Sequence, residues 1–349
     1  MDTSVALVLL SSCCVAAVTG AMADSGATMR VRGESLVLAA RKPGRLCFDQ
    51  VVNGSLVVRS TFSARKTPSS TYEEGHDYVV DYARGTIART AHSRIPDFTT
   101  SATYGMKDFD HTKVPSVSNH GFFVWADYRT TNGRPWARPN DQSLHLRGVR
   151  AKLEAGGPFK LVSYGDSIAA GGEASEVRYR FQQRFARYLR IRFRGAQVKA
   201  VDASISGYAS QQGVDWFDQY LGPVEAPDLV LVGFGMNDHN IGTAEPDTFR
   251  RNLITIVQMV RERKGADALL FSAFPPNDNW HYGTHRMAQF AAATREAAAE
   301  AQCAYVDVFS TWEMVLRRKD QPSLLGNNIN HPNDFGHWLY EQAFEAIGL

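Results

Sequence analysis

The sequence is poor in cysteine. Its 349 residues include four cysteines, and none has the paired spacing of a metal or redox site. Cys13 and Cys14 fall in the N-terminal segment described below. Cys47 and Cys303 lie far apart, and we do not expect them to form a disulfide. The cysteines therefore say little about the redox compartment. We expect a protein that acts without a metal or another cofactor.

An excess of one charge is also missing. The chain has 38 basic and 36 acidic residues, a net charge of +2, so nucleic acid is not an expected partner. The hydrophobic content of 44% and the charged content of 21% are typical of a globular protein that does not span a membrane. The length is comfortable for two domains.

The N-terminus has the pattern of an export signal. Residues 5–18 are apolar and small, and Ala21-Met22-Ala23 offers a cleavage site before Asp24. We expect a signal peptide over residues 1–23 and a secreted or periplasmic (cell-envelope) location. Leu10-Ser11-Ser12-Cys13 resembles a lipoprotein box, so lipid attachment at Cys13 is the alternative. The apolar run is too short and too poorly flanked for a stable membrane span.

Residues 30–150 carry strand patterns and lack helical spacing. Short apolar runs, bounded by Gly and Asn, occupy residues 35–39, 55–59, 77–82, 86–88 and 122–125. They predict a small β-sandwich-like domain over residues 24–155. Gly156-Gly157-Pro158 then indicates a hinge, and a second domain is expected over residues 156–349.

In the second domain, strand patterns alternate with helical patterns. Strands are predicted at residues 159–163, 197–201, 229–235, 268–274 and 304–309. Apolar residues at helical spacing predict helices over residues 177–189, 249–260, 284–302 and 334–347. Such alternation predicts an α/β fold with a parallel sheet covered on both faces.

Polar clusters follow the predicted strands. They are Gly165-Asp166-Ser167, Gly207, Gly235-Met236-Asn237-Asp238 and Asn277, and a further cluster, Asn330-His331-Pro332, precedes the last helix. Functional groups gather beyond the carboxyl ends of parallel strands. We therefore expect these clusters to meet at one edge of the sheet.

Ser167 is the candidate nucleophile. A serine hydroxyl attacks a carbonyl carbon only when a neighbouring base removes its proton. We expect Ser167 on a tight strand-to-helix turn, where its hydroxyl projects from the sheet edge. The structural alternative is that Asp166 and Ser167 only cap a helix.

Gly207 and Asn237 are candidate donors to an oxyanion. The backbone N–H of Gly207 and the side-chain amide of Asn237 are groups that stabilise the negative oxygen of an acyl-transfer intermediate. The alternatives are an ordinary loop glycine and an Asx turn.

His331 is the candidate general base. Pro332 restricts the chain beside it, and the last helix starts directly afterwards. The same half of the chain contains four other histidines: His239, His281, His285 and His337. His281 and His285 lack the glutamate of a zinc protease motif, so we predict no metal site there.

As a set, Gly165-Asp166-Ser167, Gly207, Gly235-x-Asn237-Asp238 and His331-Pro332 resemble the conserved blocks of the SGNH (GDSL) hydrolase superfamily. The resemblance covers residues 158–349. It implies a three-layer α/β/α flavodoxin-like fold, a Ser167 nucleophile and a His331 base. It also implies an oxyanion hole formed by Ser167 N–H, Gly207 and Asn237. The first domain is similar to β-sandwich modules of some bacterial carbohydrate esterases.

The sequence departs from the family pattern at one position. The family places an aspartate three residues before the histidine, where this chain has Asn328. A carboxylate there would orient the imidazole and stabilise its cation. Asn328 or a main-chain carbonyl could orient His331 instead, or Asp334 or Asp307 could supply the acid. A non-catalytic site is the remaining alternative.

We therefore predict a serine esterase that removes O-acetyl groups from a carbohydrate, either a small molecule or a polysaccharide. The alternatives are a lipid-directed esterase or thioesterase, and an inactive hydrolase fold that binds carbohydrate.

One basic segment stands apart from these motifs. It contains Arg178, Arg180, Arg184, Arg187, Arg190, Arg192 and Arg194. It is explained either by a solvated helix face or by attraction to an acidic polysaccharide or a membrane surface.

Overall fold

A computed structural model describes residues 28–240 and 243–349. The expected signal peptide and the lipid-attachment alternative at Cys13 lie outside the described residues. Cys47 and Cys303 are free and buried.

The N-terminal part forms two antiparallel sheets, as predicted. One has the strand order β1-β7-β3-β4 and the other β2-β6-β5. The strands are β1 Met29–Leu36, β2 Gly44–Arg45, β3 Val57–Arg59, β4 Thr71–Tyr72, β5 Tyr78–Asp81, β6 Thr86–Arg89 and β7 Val124–Thr130. A 3-10 turn, Phe98–Thr100, lies between β6 and β7.

The second part contains a five-stranded parallel sheet in the order β12-β11-β10-β8-β9. Its strands are β8 Gly157–Gly165, β9 Ala196–Asp202, β10 Leu229–Gly233, β11 Asp267–Phe271 and β12 Ala304–Val306. The continuous apolar runs mark these strands because a covered sheet buries both faces. The predicted fold class is confirmed, and the strand order reverses between β8 and β10. Ligand crevices form at such a reversal.

The helices connect and cover the parallel strands. They are α1 Arg147–Ala155, α2 Phe181–Arg192, α3 Ser210–Asp215, α4 Phe217–Tyr220, α5 Pro246–Lys264, α6 Met287–Glu300, α7 Val308–Leu316 and α8 Asp334–Glu345, with 3-10 turns at Val177–Tyr179 and Gln321–Ser323. In the described part of the chain, no helix has the length and apolar character needed to cross a membrane.

Two local predictions were wrong. The strand expected over residues 304–309 ends at Val306, because the Asp307 carboxylate accepts the Ser310 N–H (2.9 Å) and starts α7. The predicted hinge is not a free linker, since Gly157 and Pro158 pair with Ala196 and Gln197 as the first residues of β8. The domain boundary at residue 155 stays a prediction.

Most buried apolar residues of both parts form one continuous core, and Phe109, Trp280 and Ile329 form a second, small cluster. An ion pair lies inside the continuous core: Lys319 Nζ contacts Glu34 Oε1 at 2.7 Å, and neither side chain is exposed to solvent. Glu34 also accepts hydrogen bonds from Tyr128 Oη (2.7 Å) and from the Cys47 N–H (2.9 Å). The two charges are therefore hydrogen-bonded as well as paired, which a buried ion pair requires.

Replacing Lys319 with methionine is expected to destabilise the protein by about 3–5 kcal/mol, because Glu34 keeps a buried charge without its partner. Urea unfolding measures the loss. Arg84→Met, which removes an exposed pair with Asp81, is the control and is expected to cost less than about 1 kcal/mol. Equal losses in the two variants would contradict the role given to the buried pair.

Candidate active site

The nucleophile loop begins where β8 ends. Gly165 pairs with Gly233 of β10, and a Cβ at Gly165 would lie 2.0 Å from the Gly233 carbonyl oxygen. Only glycine allows the two strands to approach this closely. The loop that follows is therefore held beside the end of β10, where Asn237 is also found.

Asp166 shapes the turn that presents Ser167. Its buried carboxylate accepts the Ile168 N–H at 2.8 Å and the Ala169 N–H at 3.4 Å. Burial raises the pKa of Asp166 to about 7. The chain continues as turns up to residue 173, so the expected strand-to-helix turn is replaced by a longer loop. The alternative that Asp166 and Ser167 only cap a helix does not hold, because no helix follows them: the Asp166 carboxylate accepts N–H groups of a turn.

The structure brings Ser167 and His331 together. His331 Nε2 lies 2.7 Å from Ser167 Oγ, which is hydrogen-bonding distance. Gly172 makes room for the ring, since a Cβ at that position would lie 2.7 Å from His331 Cδ2. The serine and the histidine thus have the contact that a nucleophile and its base need.

The His331 loop is held at both ends. On one side, the Gly326 N–H donates to the His331 carbonyl oxygen at 2.9 Å, and Leu325 and Pro332 form an isolated antiparallel β-bridge. On the other side, the Asn333 side chain accepts the Phe335 and Gly336 N–H groups and caps α8. The imidazole therefore projects from a short, fixed loop, as the position before the last helix predicts.

Asn327, which sequence reasoning missed, faces the second ring nitrogen of His331. Asn327 Nδ2 lies 2.5 Å from His331 Nδ1. It also donates to Asn330 Oδ1 at 3.1 Å. The Asn327 Oδ1 accepts three backbone N–H groups, each at 3.0 Å, from Ile329, Asn330 and His331.

These contacts fix which way the Asn327 amide points. Rotating the amide would place its N–H groups against three backbone donors, so the nitrogen must face His331. An amide nitrogen can only donate, and His331 Nδ1 must then accept. The proton of the neutral imidazole is therefore held on Nε2, the atom that faces Ser167.

The predicted orienter Asn328 lies elsewhere. Its Oδ1 accepts from Asn119 Nδ2 (3.1 Å) and Asn277 Nδ2 (3.2 Å), and its Nδ2 donates to Thr103 Oγ1 at 2.7 Å. Asn328 is buried and has a φ of +54°. The side chain that meets His331 therefore belongs to Asn327, one residue earlier than the family pattern suggests.

The two acidic alternatives are also engaged elsewhere. Asp334 accepts the Ser175 N–H (2.8 Å) and the Ser175 hydroxyl (2.7 Å), and Asp307 caps α7. Glu173, which was not predicted, lies closer to the site: its carboxylate raises the pKa of His331 and contacts His120 Nε2 at 2.6 Å. Burial has the larger effect and lowers the pKa of His331 below its usual value.

The oxyanion candidates come from loops after three neighbouring strands. Asn237 is buried, and its Nδ2 donates to the Tyr208 carbonyl at 2.9 Å, which leaves a second N–H on the same nitrogen. Gly207 has a φ of +81°, a conformation that favours glycine. In the described residues, the backbone N–H groups of Ser167 and Gly207 have no hydrogen-bond acceptor.

Asp238 holds the Asn237 loop in place, a role the sequence did not reveal. Its buried carboxylate accepts the Ser210 N–H (2.9 Å), the Ser210 hydroxyl (2.5 Å) and the Gly235 N–H (3.0 Å). Burial raises the pKa of Asp238. The loops after β9 and β10 are therefore joined through one carboxylate.

The remaining histidines are not at the serine. His337 Nε2 lies 3.0 Å from the Gly172 carbonyl oxygen, and His239 Nδ1 lies 2.9 Å from Thr284 Oγ1. His281 contacts Asp108 at 2.9 Å. Across residues 28–240 and 243–349, no group of three or more His, Cys, Asp or Glu side chains is placed to hold a metal ion.

Several solved structures are similar to this chain at low identity. A two-domain esterase (CEX) active on acetylated mannans, co-crystallised with mannopentaose, is 21% identical with a TM-score of 0.49, and the alignment covers 59% of this chain and 53% of that one. Axe2, an acetylxylan esterase from Geobacillus stearothermophilus, is 20% identical with a TM-score of 0.47, covering 56% and 97%. The chain thus spans about half the length of CEX.

A comparison with curated proteins gave no match. The sequence profile of the GDSL-like lipase/acylhydrolase family matches residues 163–339. That range includes Ser167, Gly207, Asn237 and His331, and it is half of the chain. The chain belongs to the GDSL-like lipase/acylhydrolase family.

Proposed function

We propose that the chain is a carboxylic ester hydrolase with Ser167 as nucleophile and His331 as general base. The observation that carries this proposal is the distance of 2.7 Å between Ser167 Oγ and His331 Nε2. The family supports the reaction class, since its members are lipases and acylhydrolases.

In the proposed reaction, Ser167 Oγ attacks the ester carbonyl carbon and its proton passes to His331 Nε2. The carbonyl oxygen becomes an anion, which accepts hydrogen bonds from the N–H groups of Ser167, Gly207 and Asn237. One such donor can stabilise a transition state by about 3 kcal/mol. The alcohol leaves with the proton from His331, and the acyl group stays on Ser167. Water, deprotonated by His331, then attacks the acyl carbon. The bond to Ser167 Oγ breaks, the acid leaves, and His331 returns the proton to Ser167 Oγ.

Asn327 limits the rate of the first step. His331 can accept the serine proton only when its own proton is on Nδ1, whereas Asn327 holds that proton on Nε2. The reactive tautomer is therefore a minority form. We expect slow turnover, because the unfavourable tautomer raises the barrier to attack.

For the substrate, we propose an O-acetyl group on a carbohydrate. A cleft of about 340 Å³ is lined by Asn277 and Asn328, whereas Ser167 and His331 do not line it. It would hold a part of the carbohydrate away from the reacting ester. Tyr104, which is partly exposed, adds an aromatic ring to the lining, with the buried Phe98 and Phe109 behind the surface. Aromatic rings beside amide groups suit a sugar ring, which has apolar faces and a polar rim. The export signal expected from the sequence agrees with a substrate outside the cytoplasm.

A carbohydrate-binding protein without hydrolytic activity is the second candidate. The Asn327 contact favours this candidate, because a His331 imidazole with its proton on Nε2 cannot accept the serine proton. Under this alternative the cleft would bind the sugar and Ser167 would stay unreactive.

A serine-directed fluorophosphonate separates the two candidates. We expect labelling of Ser167, located by mass spectrometry, together with hydrolysis of 4-nitrophenyl acetate. The octanoate ester should react at least roughly tenfold more slowly than the acetate, because the proposed site accepts a short acyl group. Equal or faster reaction of the octanoate would favour a lipid-directed esterase. A folded protein that is neither labelled nor active would support the binding protein.

A further inference from the structure

A basic groove of about 690 Å³ lies between the first antiparallel sheet and α2. Seven arginines line it, and Asp127 is its only acidic lining residue within the described chain. The chain as a whole has a net charge of only +2. The positive charge is therefore concentrated here and does not reflect a basic protein.

Two of these arginines are buried and only partly satisfied. Arg59 forms a bidentate pair with Asp127, with distances of 2.8 and 3.0 Å. Arg184 Nη1 lies 3.2 Å from Glu341. Each arginine side chain is 7% exposed, yet Arg59 Nε and Arg184 Nη2 have no hydrogen-bond partner among the described residues.

Unpaired buried N–H groups cost free energy. Arg59 Nε and Arg184 Nη2 have almost no solvent-accessible surface, so a ligand would bind the other guanidinium N–H groups of the groove. Guanidinium groups bind carboxylates with favourable geometry. Seven arginines against one acidic residue in the lining therefore favour an anionic ligand.

Three further arginines are exposed at the groove: Arg30, Arg32 and Arg65. None of them has a carboxylate partner in the part of the chain that the structure describes. The other two, Arg178 and Arg187, contact Glu176 (2.9 Å) and Glu341 (3.5 Å). The uncompensated charge thus lies mainly on the side formed by the N-terminal part.

Aromatic rings line the same groove. The Arg184 guanidinium lies 5.2 Å from the Phe62 ring centre and 5.4 Å from that of Tyr179, and Trp338 also lines the groove. Ring faces beside cations match a sugar ring that carries a carboxylate. The volume suits a few sugar units, and the concave shape does not suit a flat membrane surface.

We propose that this groove binds a polyuronate, a polysaccharide whose sugars carry carboxylates. Arg30, Arg32 and Arg65 would attract the polysaccharide and donate hydrogen bonds to its carboxylates. The proposal accounts for part of the basic segment found in the sequence, because Arg178, Arg184 and Arg187 line the groove. Arg192 and Arg194 are exposed outside it.

Calorimetric titration with alginate, a polymer of uronic acids, tests the proposal. The triple variant Arg30→Gln, Arg32→Gln, Arg65→Gln changes only exposed side chains and should fold normally. We expect its Kd to be roughly tenfold or more above that of the unmodified protein, because three charge-assisted contacts are lost. The control removes three exposed arginines outside the groove (Arg41→Gln, Arg192→Gln, Arg194→Gln) and should change Kd by less than about twofold.

Absence of alginate binding, or equal weakening in both triple variants, would overturn the proposal. So would binding of a single-stranded oligodeoxynucleotide or of phosphatidylserine vesicles at least as tight as that of alginate at the same salt concentration. Neutral mannan should not compete. The site is independent of the proposed hydrolysis: Ser167→Ala should bind alginate as the unmodified protein does, so failure of either proposal is seen separately.

Discussion

Replacing Asn327 with aspartate is expected to raise kcat/KM for 4-nitrophenyl acetate by roughly 10²- to 10⁴-fold, the reverse of the loss seen when a triad aspartate becomes asparagine. One carboxylate oxygen would keep the three backbone N–H groups that Asn327 Oδ1 accepts now. The other would take the place of Nδ2 beside His331 Nδ1. The proton would then move to Nδ1, and Nε2 would be free to accept the serine proton.

The three N–H donors also make the new carboxylate easy to ionise, because hydrogen bonds to the charged form lower the pKa of an acid. Asn330 Oδ1, which accepts from Asn327 Nδ2 at present, can adapt by rotating its amide so that Nδ2 donates to the carboxylate. The variant is therefore expected to fold without a large loss of stability.

The pH profile separates this electrostatic effect from a merely structural one. The base must be neutral, so activity falls as the pH drops through the pKa of His331. Burial holds that pKa below its usual value in the natural chain. A carboxylate at residue 327 would raise it, and the acidic limb of the profile should move to higher pH.

Asn328→Asp is the matched control, because it puts a carboxylate where the family pattern has one. Residue 328 bonds to Asn119, Asn277 and Thr103, so we expect no increase in activity and no shift of the acidic limb. An increase in Asn328→Asp but not in Asn327→Asp would show that the placement of the His331 loop is wrong.

Replacing Ser167 with alanine is expected to lower kcat/KM by roughly 10³-fold or more, since loss of a catalytic serine removes the covalent route. The hydroxyl lies 2.7 Å from His331 Nε2, and alanine leaves that nitrogen without its partner. Fluorophosphonate labelling should disappear with the activity. Hydrolysis of 4-nitrophenyl acetate, followed by product absorbance, measures the effect.

Ser116→Ala removes an exposed hydroxyl that accepts the Ser118 N–H at 3.3 Å and serves as the control, with activity expected to stay within about twofold. Full activity in Ser167→Ala would remove the nucleophile assignment. Unfolding curves for both variants should match that of the natural chain, so that any loss of activity reflects chemistry.

Much of the fold and of the site was predictable, because buried parallel strands appear in the sequence as continuous apolar runs. β10, Leu229–Gly233, is apolar at every position before its glycine and buried throughout. Residues that follow such strands must meet at one edge, which is why Ser167 and Asn237 could be chosen from order alone. His331 could be paired with Ser167 because the same sheet topology, and the start of α8 directly after His331, place both at that edge.

The orientation of His331 could not be predicted, because it depends on contacts that spacing does not determine. Asn327 faces the ring only because three successive N–H groups capture its oxygen. Asn328 points away because the side-chain amide of Asn119, 209 positions earlier, donates a hydrogen bond to its Oδ1 in a buried network. The strand predicted over residues 304–309 failed for a similar reason, since the cap formed by Asp307 outweighed a continuous apolar pattern.

The buried contacts of Glu34 and Asn119 have a consequence for how this architecture can change over generations. Gene fusion and exchange favour units whose surfaces are self-sufficient, but here the hydrolase half keeps a lysine whose counter-charge comes from β1 and a loop that rests on Asn119. Exchanging either half alone would leave a charge and an amide without partners in an apolar interior. The two halves are therefore expected to be inherited together, with compensating substitutions across their shared boundary.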